Sequence, residues 1–168
     1  MAIPPQLTDD IIQDTFVRAL QSVFKTMISQ EIAFDGRAQQ VEPPGPDAKA
    51  QLIGNVGFGG KINGLVYLCM PDEFAHTIAG RMLGMDAAEL SQSGNEAVTD
   101  AIGEITNMSV GGFKNALADM GFPCKLTIPT IVRGRGLSVN SIRGTTRYIF
   151  HFSSMGHRIS ADVHMQFD

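Results

Sequence analysis

A helix pattern followed by three strand patterns occurs twice along this chain, and that repetition constrains the fold more than any other feature. The first set begins with a helix from about Thr8 to Ser29, with Thr8 as N-cap and Ile12, Phe16, Ala19, Leu20, Val23 and Met27 along one face. Three strand-like runs follow: "EIAFDGRAQQVE", "AQLIGNVGF" and "KINGLVYLCM". The turn cluster Pro43 to Asp47 separates the first two, and Gly59 and Gly60 separate the last two. A short helix, "PDEFAHTIAGRMLG", has Pro71 in its first turn and Gly84 at its end. The second set opens with a long helix predicted from Ser93, where Ser93 and Glu96 form a capping-box pattern, to near Gly121. It continues with "CKLTIPTIVRG", "TTRYIFHFS" and "HRISADVHMQF", each read as a strand.

Two such half-units are expected to complete one mainly antiparallel sheet of about six strands, with the two long helices packed on one face. This is an α+β layer fold with pseudo-twofold αβββ halves. Half of 168 residues is too little chain to close a core alone, so residues 1–168 are read as a single domain. Glu42 to Asp47 is then a connection between strands and not a boundary.

Several function classes are excluded by composition. With 18% charged residues and a net charge of −4, the chain lacks the basic stripe that nucleic-acid binding requires. No run approaches the roughly 20 apolar residues of a membrane span, and "MAIPPQLTDD" has neither the basic nor the apolar region of a signal peptide, so a cytoplasmic protein is expected. Cys69 and Cys124 read as two buried thiols without a disulfide. His76, His151, His157 and His164 lack metal-ligand spacing, so no metal site is expected. "GNVGFGGKI" fails as a phosphate loop, because Asn55 stands where the first glycine belongs and Ile62 where Ser or Thr belongs. "RGRG" at Arg133 to Gly136 reads as a solvated turn.

The long helix carries the functional signal. In "TDAIGEITNMSVGG", Asp100, Glu104, Asn107 and Gly111 fall within an arc of roughly 60° on a helix advancing about 100° per residue. The opposite side carries Val98, Ile102, Ile105, Ser109, Phe113, Ala116 and Met120. An acidic line could be an ordinary solvated face, but two acids four apart without a basic partner disfavour a helix by about 0.2–0.5 kcal/mol. Gly111 and Gly112 each add about 1 kcal/mol relative to Ala unless close approach of a backbone or partner requires them. The line is therefore fitted to something other than helix stability.

The stretch "DAIGEITNMSVGG", together with the helix segment "FVRALQSVFKTM" and the strand "LTIPTIVRG", resembles the CheC/CheX/FliY phosphatases of bacterial chemotaxis, and the CheX branch in particular. The family motif is Asp or Ser, three residues, Glu, two residues, Asn, then small residues. The resemblance implies a phosphatase acting on the aspartyl phosphate of a CheY-like receiver domain in chemotaxis or other two-component signalling. Asn107 and Glu104 would be its catalytic pair, with Asp100, Gly111 and Gly112 contacting the partner. It implies no cofactor of the chain's own, since Mg²⁺ comes with the receiver, and a homodimer formed through sheet edges, for which "TTRYIFHFS" and "HRISADVHM" offer β-forming sequence. A non-catalytic module of the same fold that binds a receiver or signalling assembly is the alternative, and a purely structural oligomer a more distant one.

The first helix repeats the spacing with Asp14, Arg18, Gln21 and Lys25. Arg18 in place of the Glu and Lys25 in place of the Gly spoil the pattern. One working site per chain is expected.

Overall fold

In a computed structural model, which describes residues 3–167, the first helix α1 spans Asp9–Val23. Thr8 caps it as expected, its hydroxyl accepting from the Ile11 N–H at 3.3 Å. The helix then widens into a π turn, Phe24–Ile28, and stops at Ser29 in the left-handed region (φ 53°). The strands β1 (Ala33–Ala38), β2 (Gln51–Gly60) and β3 (Ile62–Pro71) follow. The helix α2 (Asp72–Leu83) ends on Gly84 at φ 66°, a backbone conformation that favours glycine. Next come the long helix α3 (Ala87–Asp119) and the strands β4 (Cys124–Leu126), β5 (Thr130–Gly134), β6 (Thr146–Ser154) and β7 (His157–Phe167).

All strand pairs are antiparallel, in the order β1-β6-β7-β3-β2-β4, with β5 continuing beside β2. Exchanging the two halves, β1 for β4–β5, β2 for β6 and β3 for β7, reverses this order onto itself. The duplicated sequence pattern is therefore a real twofold, with its axis between β3 and β7. Seven strands form where about six were expected, because one run divides. Helices cover one face, and the core between layers is aromatic: Phe16 meets Phe113 edge-on at 5.5 Å and Phe150 at 5.7 Å, and Phe113 meets Phe58 at 6.0 Å.

Three expectations are corrected. α3 starts at Ala87, where Asp86 and Glu89 form the capping box, each side chain bonded to the other's backbone N–H. Ser93 instead donates to the Glu89 carbonyl, and Gly94 (φ 76°) kinks the helix, so the segment carrying the acidic line begins anew just after it. The strands β6 and β7, put forward for edge pairing, are interior and paired on both sides. The edges are β1 and the β4–β5 side; β1 is bulged between Phe34 and Gly36 and carries Asp35 and Arg37, features that discourage further pairing.

The third correction concerns "CKLTIPTIVRG". Leu126 pairs with Phe58 and Thr130 with Asn55, so three steps along β2 face four along its neighbour. Thr127 absorbs the mismatch: its N–H donates to the Gly57 carbonyl at 2.8 Å, and its hydroxyl accepts from the Gly57 N–H at 2.9 Å. Pro129 has no N–H to extend the ladder. The extra residue makes a β-bulge and turns Ile128 out to 86% exposure.

The other face of the sheet holds a buried ionic group. Asp162 on β7 is 2% exposed and accepts a two-pronged pair from Arg147 on β6, Nε to Oδ1 at 2.9 Å and Nη2 to Oδ2 at 2.5 Å. Arg147 also donates to the Val139 carbonyl and the Ser141 hydroxyl, which ties the segment before β6 across this face. His164 places Nε2 2.9 Å from Asp162 Oδ1. No helix is long and apolar enough to cross a membrane among the described residues.

Candidate functional site

The acidic line occupies the part of α3 that follows the Gly94 kink. Asp100 and Glu104 are exposed, and Asn107 and Gly111 are half-buried. Between them and on the far side, Val98, Ala101, Ile102, Ile105 and Phe113 are buried, so the amphipathic division read from the spacing holds. Asp100, Glu104 and Asn107 make no side-chain hydrogen bond or ion pair among the described residues. Their polar atoms are free for a partner.

The support under this line was not visible in the sequence. Thr106, next to Asn107, is fully buried and donates its hydroxyl to the Ile102 carbonyl at 2.7 Å. It rests on Gly54 of β2 so closely that a Cβ at position 54 would lie 2.2 Å from the Thr106 oxygen. A side chain there would lift the helix from the sheet. Glycine inside a strand signals close approach of another backbone or side chain, the clue that "GNVGFGG" offered.

The two glycines after Asn107 do different jobs. A Cβ on Gly112 would come within 3.2 Å of the Ala19 Cβ on α1, so this glycine lets the two long helices pack closely. A Cβ on Gly111 would make only an ordinary 3.8 Å contact with Leu126 at the end of β4. Gly111 thus keeps the surface low beside Asn107, between α3 and the β4–β5 edge. Ser109 is buried and donates to the Ile105 carbonyl, turned away from the line.

At the matching positions of α1 and its π turn, Asp14 and Arg18 are exposed and Gln21 is half-buried, which reproduces the pattern of α3 at three positions; the fourth, Lys25, is exposed where Gly111 is half-buried. Gln21 is not free: its Nε2 donates to the Ile32 carbonyl at 3.2 Å, just ahead of β1. Arg18 bonds back to the Asp14 carbonyl. A groove of about 700 Å³, lined in part by Gln21, Lys25, Glu31 and Met155, opens beside this helix.

Other nucleophile candidates are weak. Cys69 and Cys124 are both free; Cys124 is buried as expected and Cys69 half-buried, with its thiol pushed up to about 12, chiefly by burial. Such a thiol stays protonated at neutral pH. Among the described residues, no group of three or more His, Cys, Asp or Glu side chains is placed to hold a metal ion. The line itself is an exposed helix ridge. That shape enters a partner's cleft, whereas small-molecule sites are concave.

A twofold αβββ layer that presents an unpartnered carboxylate–carboxamide ridge on one helix defines a class of α+β protein. The family model described as "Chemotaxis phosphatase CheX" matches residues 52–153, and the chain belongs to that family. The CheY-P phosphatase CheX of Thermotoga maritima is 32% identical over 91 residues, a match that covers 54% of this chain and 56% of that protein's length. The crystal structure of chemotaxis protein CheX from Vibrio vulnificus superposes with a TM-score of 0.77 at 28% identity, covering 98% of this chain and 100% of that one. The CheX of a CheX-CheY-BeF3-Mg²⁺ complex from Borrelia burgdorferi has the same fold, with a TM-score of 0.74 at 22% identity over 92% of this chain and 97% of that one.

Proposed function

We propose that this chain, acting as one domain, is a phosphatase that hydrolyses the aspartyl phosphate of a CheY-like receiver. The observation that carries the reading is the ridge: Asn107 half-buried, Glu104 exposed one turn away, both unpartnered, on a helix seated by Thr106 against Gly54. The T. maritima relative, a CheY-P phosphatase, and the solved assembly of a CheX with CheY, BeF3 and Mg²⁺ support it.

The receiver supplies the phosphorylated carboxylate and the Mg²⁺ that screens the charge on the transferring group. What hydrolysis still needs is a water in line with the leaving oxygen. The Asn107 carboxamide accepts from such a water through its oxygen and donates through its nitrogen, and it adds no negative charge beside the phosphoryl group. Glu104 anchors a cationic side chain of the receiver by a charge-assisted hydrogen bond and so aims the ridge. Asp100 makes a rim contact, and Gly111 leaves room for the receiver surface. Gly112 contributes through the packing of α3 on α1. The chain has one such site, and it pairs with a second copy through a sheet edge.

The decisive experiment is decay of receiver phosphate with this protein at about one part in a hundred. Each molecule should clear many receivers. Loss of no more than one phosphate per molecule would instead identify a binding module of the same fold, since fold alone does not settle activity.

Glu104 has its own signature. Glu104→Ala should weaken binding to a receiver loaded with BeF3, measured by titration. Added salt should weaken the wild-type complex more than the variant's, because the anchoring pair is electrostatic.

A further inference from the structure

We propose that Ile128 is a docking residue for the same receiver, an apolar anchor beside the catalytic ridge that sets affinity and partner choice; this rests on the function proposed above. Ile128 is the most exposed large hydrophobic side chain among the described residues, at 86%. Its position follows from the fold. Leu126 lies against Gly111, while Thr130 and Ile131 pair with Asn55 and Gly54, the residue beneath Thr106. The segment between them, Thr127 to Pro129, therefore runs alongside the turn of α3 that carries Asn107 and Gly111.

The exposure is built in. An isoleucine in this edge could have pointed into the sheet had the strand kept register with β2. The extra residue in the bulge turns it outward instead, and bulges of this kind re-aim side chains next to functional sites. The presentation is also rigid. Thr127 is bonded twice to Gly57, and a residue before proline is confined to extended conformations. A fixed apolar knob loses little freedom on binding, so most of its burial appears as affinity.

The occupant follows from continuity. A protein that covers Glu104 and Asn107 must approach over the low surface at Gly111, and Ile128 borders that surface. The ridge recognises charge and the reacting group, features that receivers share. An apolar contact at the rim can distinguish one receiver from another.

The test uses the whole protein and a receiver loaded with BeF3 for binding or phosphorylated for turnover. Ile128→Ala should raise Kd and KM about tenfold and Ile128→Asp about a hundredfold, the scale of one lost apolar anchor, with kcat at saturation within about twofold of wild type. Both variants should melt as wild type does, the side chain being exposed. Unchanged Kd in Ile128→Asp would overturn the proposal. So would a fall in kcat without a rise in KM. A change in sedimentation of the free protein with receiver affinity intact would assign Ile128 to contact between copies, which also overturns it. If wild type binds no loaded receiver, the proposed function fails and this inference with it; if wild type binds and turns over and the Ile128 variants match it in Kd and KM, this inference alone fails.

Discussion

Asn107→Ala should still bind a BeF3-loaded receiver nearly as tightly as wild type while hydrolysing the phosphorylated receiver about 10²–10³ times more slowly at saturation, the scale of losing one positioned polar group in a reacting site. The structure makes this a clean substitution. The Asn107 side chain is bonded to nothing else among the described residues, so its removal leaves no orphaned partner in the protein. The neighbouring Thr106 holds the helix in place whether or not the carboxamide is present. Single-turnover decay under excess enzyme separates the rate of hydrolysis from affinity. An unchanged rate would mean that no carboxamide on this helix places the attacking water.

The largest stability effect is expected on the opposite face of the sheet. Asp162→Ala leaves the Arg147 guanidinium without its carboxylate and fully buried His164 without its neighbour, and breaking a buried pair on one side costs about 3 kcal/mol or more. For a chain of this size that lowers Tm by roughly 6–12 °C. Acid should deepen the loss. Burial holds His164 below its ordinary value of 6.5, with Asp162 pulling it up and Arg147 pushing it down. The unfolded chain recovers the ordinary value, so as pH falls through 6.5 it binds a proton that the native state refuses, and stability declines. With Asp162 gone, Arg147 alone acts on His164 and the decline should run to lower pH. Urea melts at two pH values on either side of 6.5 test both parts. Saturated turnover per folded molecule should be unaffected, because α3 packs on the other face.

The fold was largely legible because its elements are locally encoded. Thr8, Gly84 and the apolar spacing of α1 and α3 need no knowledge of what lies across the core, and the repeated order of elements revealed the twofold before the strand order was known. Two stretches spell the same capping box, Asp86 with Glu89 and Ser93 with Glu96, and only the backbone at Gly94 shows which is formed. Richness in β-formers does not mark an edge. In β6 and β7 it marks strands buried between neighbours, whereas the edge strands are short, charged or interrupted.

The same distinction governs the site. Glu104 and Asn107 share a face by helical period alone, so spacing sufficed to single them out. The Gly54–Thr106 contact joins residues far apart in the chain, and the outward turn of Ile128 depends on register against β2. Neither is written in any short window. The meaning of Gly112 changed likewise once α1 was seen at its side.

The bond from Gln21 to the Ile32 carbonyl limits what the helix face that mirrors the ridge can do. The face of α1 that mirrors the ridge has been given over to tethering the chain ahead of β1. Asparagine at that position is one methylene shorter than glutamine, so restoring the carboxamide of the ridge would release the tether before any second centre could function. A tether and a second ridge thus compete for the same side chain, and Gln21→Asn alone should loosen the chain ahead of β1 without creating a second centre.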